Sequence, residues 1–369
     1  MSPELTSRER FRRLLARKPV DRLPYDYWAV PEVDAKLCQH FGVSDKAALL
    51  DLFDVDFRYL EGPEYVGPPL REHGDGSVDD VWGVPRKVQV TGSGDSRGQY
   101  KYVTRHPLGG ARTAADVEAY DHWPSPDWFD YSAVYDQARA LREGGRVRVF
   151  MGDRLNRVAQ LKPAMYLRGV DRALADLGRG GEVWHAINER VAGFYREYLR
   201  RILQAARGEV DLVFTGDDFG TQNGPMFRRS VFRERLFPNF AKFVEISHRA
   251  GVPVAHHTCG SIYALMPEFV NAELDVLNPL QPLVADMDFS KIKEEYGQVL
   301  VFHGGISLQG PLRFGTPEQV RKEVKERMEQ LGSGGGYVPC TAHNVQADAP
   351  LENVVALFEA FRECAVVRD

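Results

Sequence analysis

Cysteine is scarce in this chain: four residues in 369, at Cys38, Cys259, Cys340 and Cys364. Thiols this sparse exclude a disulfide framework, and a chain of this length can bury a full core without one. Long apolar runs are missing too, so no segment approaches a membrane span. The stretch from Met1 to Arg13 is polar and charged and lacks the apolar centre of a secretory leader. The expectation is a reducing cytoplasm, where cysteines are more often buried, catalytic or metal-bound than bridged. A positive excess is also absent. The formal charge is −5 at pH 7, which leaves no basic footprint for nucleic acid. Arg8, Arg10, Arg12 and Arg13 cluster beside Glu4 and Glu9 on one N-terminal helix and read as a solvated face.

Dinucleotide binding lacks its signature. No Gly-x-Gly-x-x-Gly stands between a strand and a helix, and the run Gly332-Ser333-Gly334-Gly335-Gly336 precedes a strand, where that fingerprint does not belong. The composition, 43% hydrophobic and 27% charged, places the chain among ordinary globular proteins.

What is present is a β-then-α rhythm. Tyr25 to Val30 reads as a first, aromatic strand and Val55 to Leu60 as a second. From about residue 130 short apolar strands alternate with helices: Arg146 to Met151, Val210 to Thr215, Val252 to His256, Asp275 to Leu277, Val299 to Phe302 and Gly336 to Val338. The intervening helices include Glu182 to Ala206 and Ser230 to Ala250. Such spacing implies parallel strands with right-handed crossovers. An open doubly wound sheet and a closed barrel both fit, and polar residues at the end of strand after strand favour a barrel with a shared rim. Residues of about 75 to 106 read instead as short strands with Gly-rich turns, a β-hairpin or meander inserted into one 1–369 domain.

The strand ends carry the chemistry. Asp153 follows the Arg146 strand. Asp217 and Asp218, then Gln222 and Asn223, follow the next. His257-Thr258-Cys259 follows the third, Asn278 the fourth, His303 the fifth, and Cys340, His343 and Asn344 the last. Alternate residues of an extended chain project to one side. An imidazole at 257 and a thiolate at 259 can therefore converge on one ion, and Cys340 ends a later strand of the same barrel. One nitrogen and two sulfurs suit Zn²⁺ with an open fourth position. The plainer reading makes His257 a satisfied rim histidine and both cysteines small buried hydrophobes. Adjacent Asp217 and Asp218 face opposite ways, so one of them is expected in the site as an acid–base or positioning group and the other in a structural role. His303, ahead of two glycines, is a rim candidate for catalysis. Asp153, Gln222, Asn223, Asn278, His343 and Asn344 are candidates to line the cavity, and Tyr27 to stack on a ligand, with aromatic core as its plainer reading.

At these residues the sequence resembles the uroporphyrinogen decarboxylase-like family, and within it the branch of zinc-dependent, corrinoid-linked methyltransferases. The resemblance runs over nearly the whole chain. It is carried by Asp21-Arg22-Leu23-Pro24, Gly216-Asp217-Asp218-Phe219-Gly220-Thr221-Gln222, His257-Thr258-Cys259-Gly260, Asn278-Pro279, Phe302-His303-Gly304-Gly305 and His343-Asn344-Val345-Gln346. It implies a (β/α)8 TIM barrel. It also implies zinc on His257, Cys259 and Cys340, and a methyl group moved between a small methoxy or N-methyl compound, or a thiol, and a corrinoid (cobalamin). The corrinoid would arrive on a partner protein, because no Asp-x-His-x-x-Gly run occurs in the chain. The decarboxylases of the family carry a Met-Arg-Gln-Ala-Gly-Arg element after the first strand. Here that place reads Tyr25-Asp26-Tyr27-Trp28-Ala29-Val30, without an arginine for substrate carboxylates. The alternative activity, a metal-independent decarboxylase or lyase, would lean on Arg154 and Arg157 instead. A non-enzymatic binding module is the third reading, opposed by the convergence of acids, histidines and cysteines.

Overall fold

The computed structural model describes residues 4–91, 98–152 and 157–365. Seven parallel strands form one curled sheet: β1 (Phe57–Leu60), β2 (Val147–Phe150), β3 (Leu212–Gly216), β4 (Val254–His257), β5 (Val276–Leu280), β6 (Val301–Ile306) and β7 (Tyr337–Thr341). Each strand lies beside the next in chain order. There is no reversal of order, and hence none of the switch point at which open doubly wound sheets bind ligands. Both faces are covered, which is why the strands run apolar rather than alternating. Val147, Val149 and Phe150, for example, are all fully buried.

The helices follow from their stripes. Glu182–Ala206 buries Val183, Ile187, Val191, Tyr195, Leu199 and Ile202 at spacings of three and four, the period of one helix face. The single helix expected over Ser230 to Ala250 is two, Arg229–Arg235 and Phe237–Arg249. The break has a cause in Pro238, which cannot donate to the preceding turn. The β-rich stretch is an antiparallel three-stranded sheet, Val78–Asp79, Pro85–Thr91 and Gly98–Val103.

Tyr25–Val30 runs between the two edges of the large sheet. The Asp26 N–H donates to the Pro339 carbonyl (3.0 Å), and the Tyr25 carbonyl accepts from Asp56 (3.1 Å). It bridges as a strand only at Ala29 with Val345. Two of its amides leave the ladder for carboxylates: Tyr25 N–H donates to Asp56 and Tyr27 N–H to Asp26. The alternation of a strand survives. Tyr25 and Tyr27 turn out against Phe361 and Phe358 of the last helix, Leu351–Cys364. Asp26 and Trp28 turn in, where Asp26 meets His303 and Trp28 packs on Phe214.

At the N-terminal end of the sheet, the reading of the arginine cluster as a solvated face holds for Arg12 and Arg13, whose side chains are exposed, and is corrected for Arg8 and Arg10. Arg10 is buried, and it bridges Asp21 (2.7 Å) and Asp56 (2.7 Å), while Arg22 holds the other Asp56 oxygen (2.6 Å). Arg8 pairs with Asp211 ahead of β3 (2.6 Å). A buried carboxylate needs such partners, so this end is a structural clasp and the opposite end is free for chemistry. Among the described residues no helix is long and apolar enough to cross a membrane.

Candidate active site

Strands β3, β4, β6 and β7, with the Tyr25–Val30 segment, bring two clusters of ligating side chains together. The first is Asp218, His257 and Cys259. His257 ends β4, and Cys259 follows two residues on with its sulfur 3.3 Å from His257 Nε2. The intervening Thr258 turns away and accepts from the Phe219 amide (2.9 Å), so the expected alternation holds. Asp218 Oδ1 stands 3.7 Å from His257 Nε2 and accepts from the Cys259 amide at 3.2 Å. The Lys162 ammonium pairs with its other oxygen at 3.0 Å.

The loops that carry this cluster interlock. Gly220 donates its amide to the Cys259 carbonyl, and Ser261 donates to Thr221. A Cβ on Gly220 would lie 2.6 Å from the Cys259 carbonyl oxygen. One on Gly260, where φ is +93°, would lie 2.5 Å from the Gly220 carbonyl carbon. Only glycine permits that approach.

The neighbouring acids divide as expected. Asp217 turns outward and accepts from the amides of Gln160 (2.6 Å), Leu161 (3.0 Å) and Lys162 (2.6 Å) at the start of the helix Leu161–Arg168. It anchors that helix and takes no place among the ligating groups. Burial pushes its carboxyl up to about 6, against the pull of those amides. Burial works to raise Asp218 as well, but the Lys162 ammonium holds it well below the usual carboxylate range.

The second cluster, Asp26, His303 and Cys340, is wholly buried. Asp26 accepts from His303 Nε2 (3.1 Å), the Tyr27 amide (2.8 Å) and the Tyr59 hydroxyl, which itself accepts from the Trp28 indole (2.6 Å). Cys340 belongs here by position, and its sulfur does not group with His257 and Cys259. Burial, with the Asp26 carboxylate, drives its thiol well above the ordinary range. Asn278 joins the two clusters. Its oxygen lies 2.6 Å from His257 Nδ1 and its amide nitrogen 2.7 Å from His303 Nδ1.

Trp28 forms the floor, its ring 5.8 Å from His257 and 5.5 Å from both His303 and Phe214. The open side is marked by Asp218, whose side chain is 34% exposed, and by exposed His343, whose ring is 5.8 Å from that of His257. Tyr27 faces the last helix and not the site. Gln222 and Asn223 are exposed on the loop after β3. Asn344 is half-buried, its amide given to His343 Nδ1 (2.8 Å). Asp153 and Arg154 lie outside the described residues. Sequence reasoning missed Asp26, Tyr59 and Lys162. Asp26 carried one available signal, a carboxylate at an inward position of an otherwise aromatic segment. Nothing near Lys162 marks it, because its partner is 56 residues away.

The donor set tests a cation. Burial, then the Arg157 guanidinium, holds His257 well below the ordinary imidazole range, so the ring is neutral. Its Nδ1 is engaged by Asn278, which leaves Nε2 directed at Cys259 and Asp218. The Cys259 thiol is pushed up to about 12, first by burial and then by Asp218. A thiol so placed ionises only beside a cation. Separations of 3.3 and 3.7 Å match the edge of a tetrahedron whose centre lies about 2.0 Å from nitrogen and about 2.3 Å from sulfur. A zinc-sized ion fits these residues.

Residues 109–364 match the family model for uroporphyrinogen decarboxylase (URO-D). The chain belongs to this family. A uroporphyrinogen decarboxylase from Geotalea daltonii is 22% identical to it over 182 residues, 48% of this chain and 48% of the relative. The match thus spans about half the length of that curated protein. Among solved structures, a methyltransferase from Methanosarcina mazei is similar with a TM-score of 0.66 at 18% identity, covering 98% of this chain and 99% of the other. At that identity the likeness is one of fold. Members of the URO-D family are enzymes.

Proposed function

We propose that this URO-D family member is a zinc-dependent methyltransferase. It would move a methyl group between a small methoxy or N-methyl compound, or a thiol, and a corrinoid on a partner protein. We read the fold as a (β/α)8 barrel, with Tyr25–Val30 as its eighth strand. The observation that carries the proposal is the Asp218–His257–Cys259 trio, three ligand types whose atoms lie within 4.8 Å of one another. Bound there, zinc would supply Lewis acidity toward a leaving oxygen, or hold a substrate thiolate nucleophilic near neutral pH.

The chain's own groups have separable tasks. His257 offers a neutral nitrogen. Cys259 gives up its proton on metal binding. Asp218 balances the cation while Lys162 fixes its orientation. Trp28 and Phe214 shield the floor from water. Cys340, which the resemblance assigns to the same ion, would have to join from the neighbouring cluster. The corrinoid partner is inferred from the chain's lack of a corrinoid motif and from the need for a strong nucleophile toward a methyl group on oxygen or nitrogen.

The test has two parts. Elemental analysis of protein purified without a His tag is expected to give about one zinc per chain. Incubation with reduced corrinoid, free or protein-bound, and a panel of methoxylated and N-methylated compounds should give methyl-cobalt, seen by its absorbance. A second reading is favoured by Lys162 and Arg157, two cations beside the trio that suit a carboxylated substrate. Carbon dioxide release from such a substrate, with no methyl transfer in either direction, would establish the decarboxylase or lyase instead.

A further inference from the structure

We propose that Asn278 is a positioning residue that sets which nitrogen of His257 carries the proton, and so prepares the ring as a ligand. The inference rests on the metal-site reading above and adds to it a residue that touches no metal. Asn278 sits on β5, paired in register with His257 on β4 and flanked by β6 with His303. It is fully buried.

The chain of hydrogen bonds starts at Asp26. Asp26 accepts from the Tyr59 hydroxyl and the Tyr27 amide, and His303 Nε2 faces the same carboxyl group. An amide NH₂ only donates, so His303 Nδ1, 2.7 Å from it, takes a hydrogen bond from Asn278, and Nε2 carries the hydrogen of the neutral ring. That fixes the amide. Its oxygen is left toward His257 Nδ1 at 2.6 Å, and an oxygen can only accept. His257 must donate from Nδ1, which makes Nε2 the bare nitrogen, and Nε2 is the atom facing Cys259 and Asp218. One donor side and one acceptor side are both needed at position 278. Aspartate keeps the acceptor toward His257 and loses the donor toward His303. Leucine, of similar size, loses both.

The experiment uses the full-length protein with ¹⁵N-labelled histidine, its ring signals assigned with His257→Gln and His303→Gln. Zinc affinity is measured alongside by chelator competition, and folding by thermal melts. In the zinc-free wild type, His257 is expected to be protonated at Nδ1 and His303 at Nε2. Asn278→Leu should scramble the His257 signal and weaken zinc binding by about 10- to 100-fold, as loss of a ligand's orienting partner does. Asn278→Asp should keep the His257 tautomer and the zinc affinity while changing only the His303 signal. A packing role predicts the reverse, with leucine tolerated and the new buried charge damaging. Full zinc affinity in the leucine variant would overturn the proposal, and so would a wild-type His257 protonated at Nε2. Should the aspartate variant not fold, the wild-type ring spectrum and the leucine variant still decide. If no form binds zinc, the metal reading falls, while the ring spectra still judge Asn278.

Discussion

Asp217 and Asp218 are consecutive in sequence yet hold opposite ends of different problems: the first binds three backbone amides of a helix, the second faces a histidine and a cysteine. Their pH behaviour should differ accordingly. Burial raises the folded pKa of Asp217 to about 6, above its unfolded value, against the pull of the three amides. The stability it contributes is complete below the unfolded pKa near 4 and is lost as pH rises through 6, a change of about 3 kcal/mol. Denaturant unfolding between pH 4 and 7 should show this fall. Asp217→Asn should flatten it in that window. The variant should also cost about 1–3 kcal/mol, because its NH₂ then confronts a backbone donor.

Asp218→Asn is expected to leave the melting temperature nearly unchanged and to weaken zinc binding by about tenfold or more, since a charged ligand becomes a neutral one. Lys162→Met should do the opposite. It removes a cation that competes for the same carboxylate, so zinc should bind more tightly. Chelator competition on both variants checks the pair. Equal affinity in all three proteins would remove Asp218 from the site.

The two cysteines should separate as well. Cys259→Ser is expected to abolish stoichiometric zinc. Cys340→Ser should cause the smaller loss, because its sulfur is grouped with Asp26 and His303. Elemental analysis of both variants is the measurement. Equal and complete loss would mean that Cys340 swings into the first cluster when metal binds.

Gly260→Ala should cost about 1–3 kcal/mol, from a left-handed backbone and a Cβ driven into Gly220. Because the displaced loop carries Cys259, zinc affinity should fall together with the melting temperature. A distant exposed glycine such as Gly251 would lower stability alone when substituted.

The sheet was largely legible in the sequence. Apolar runs beginning near Val147, Val210, Val252, Val299 and Gly336 became strands because both faces of a parallel sheet are buried, and that leaves a continuous signal. His257 and Cys259 were legible for the same local reason, alternation at a strand end. The pairing of Asp26 with His303 was not, since 277 residues separate them and only the curl of the sheet brings β6 against the Tyr25–Val30 segment between its edges. His303 itself was expected beyond a strand end and lies within β6, because the strand continues through Gly304 and Gly305 to Ile306. Arg10 misled for a related reason: on its helix it is one more charge in a basic run, and only Asp56, 46 residues away, draws it inside.

The helix Leu161–Arg168 is fastened twice to the end of β3, by its first amides to Asp217 and by the Lys162 side chain to Asp218. It is therefore a handle on the ligating carboxylate. A partner or substrate that pushed this helix along its axis would strain the Asp217 bonds and swing Lys162, redirecting Asp218 without touching His257 or Cys259. Movement of the helix would in this way alter the setting of Asp218 from the outer layer of the fold.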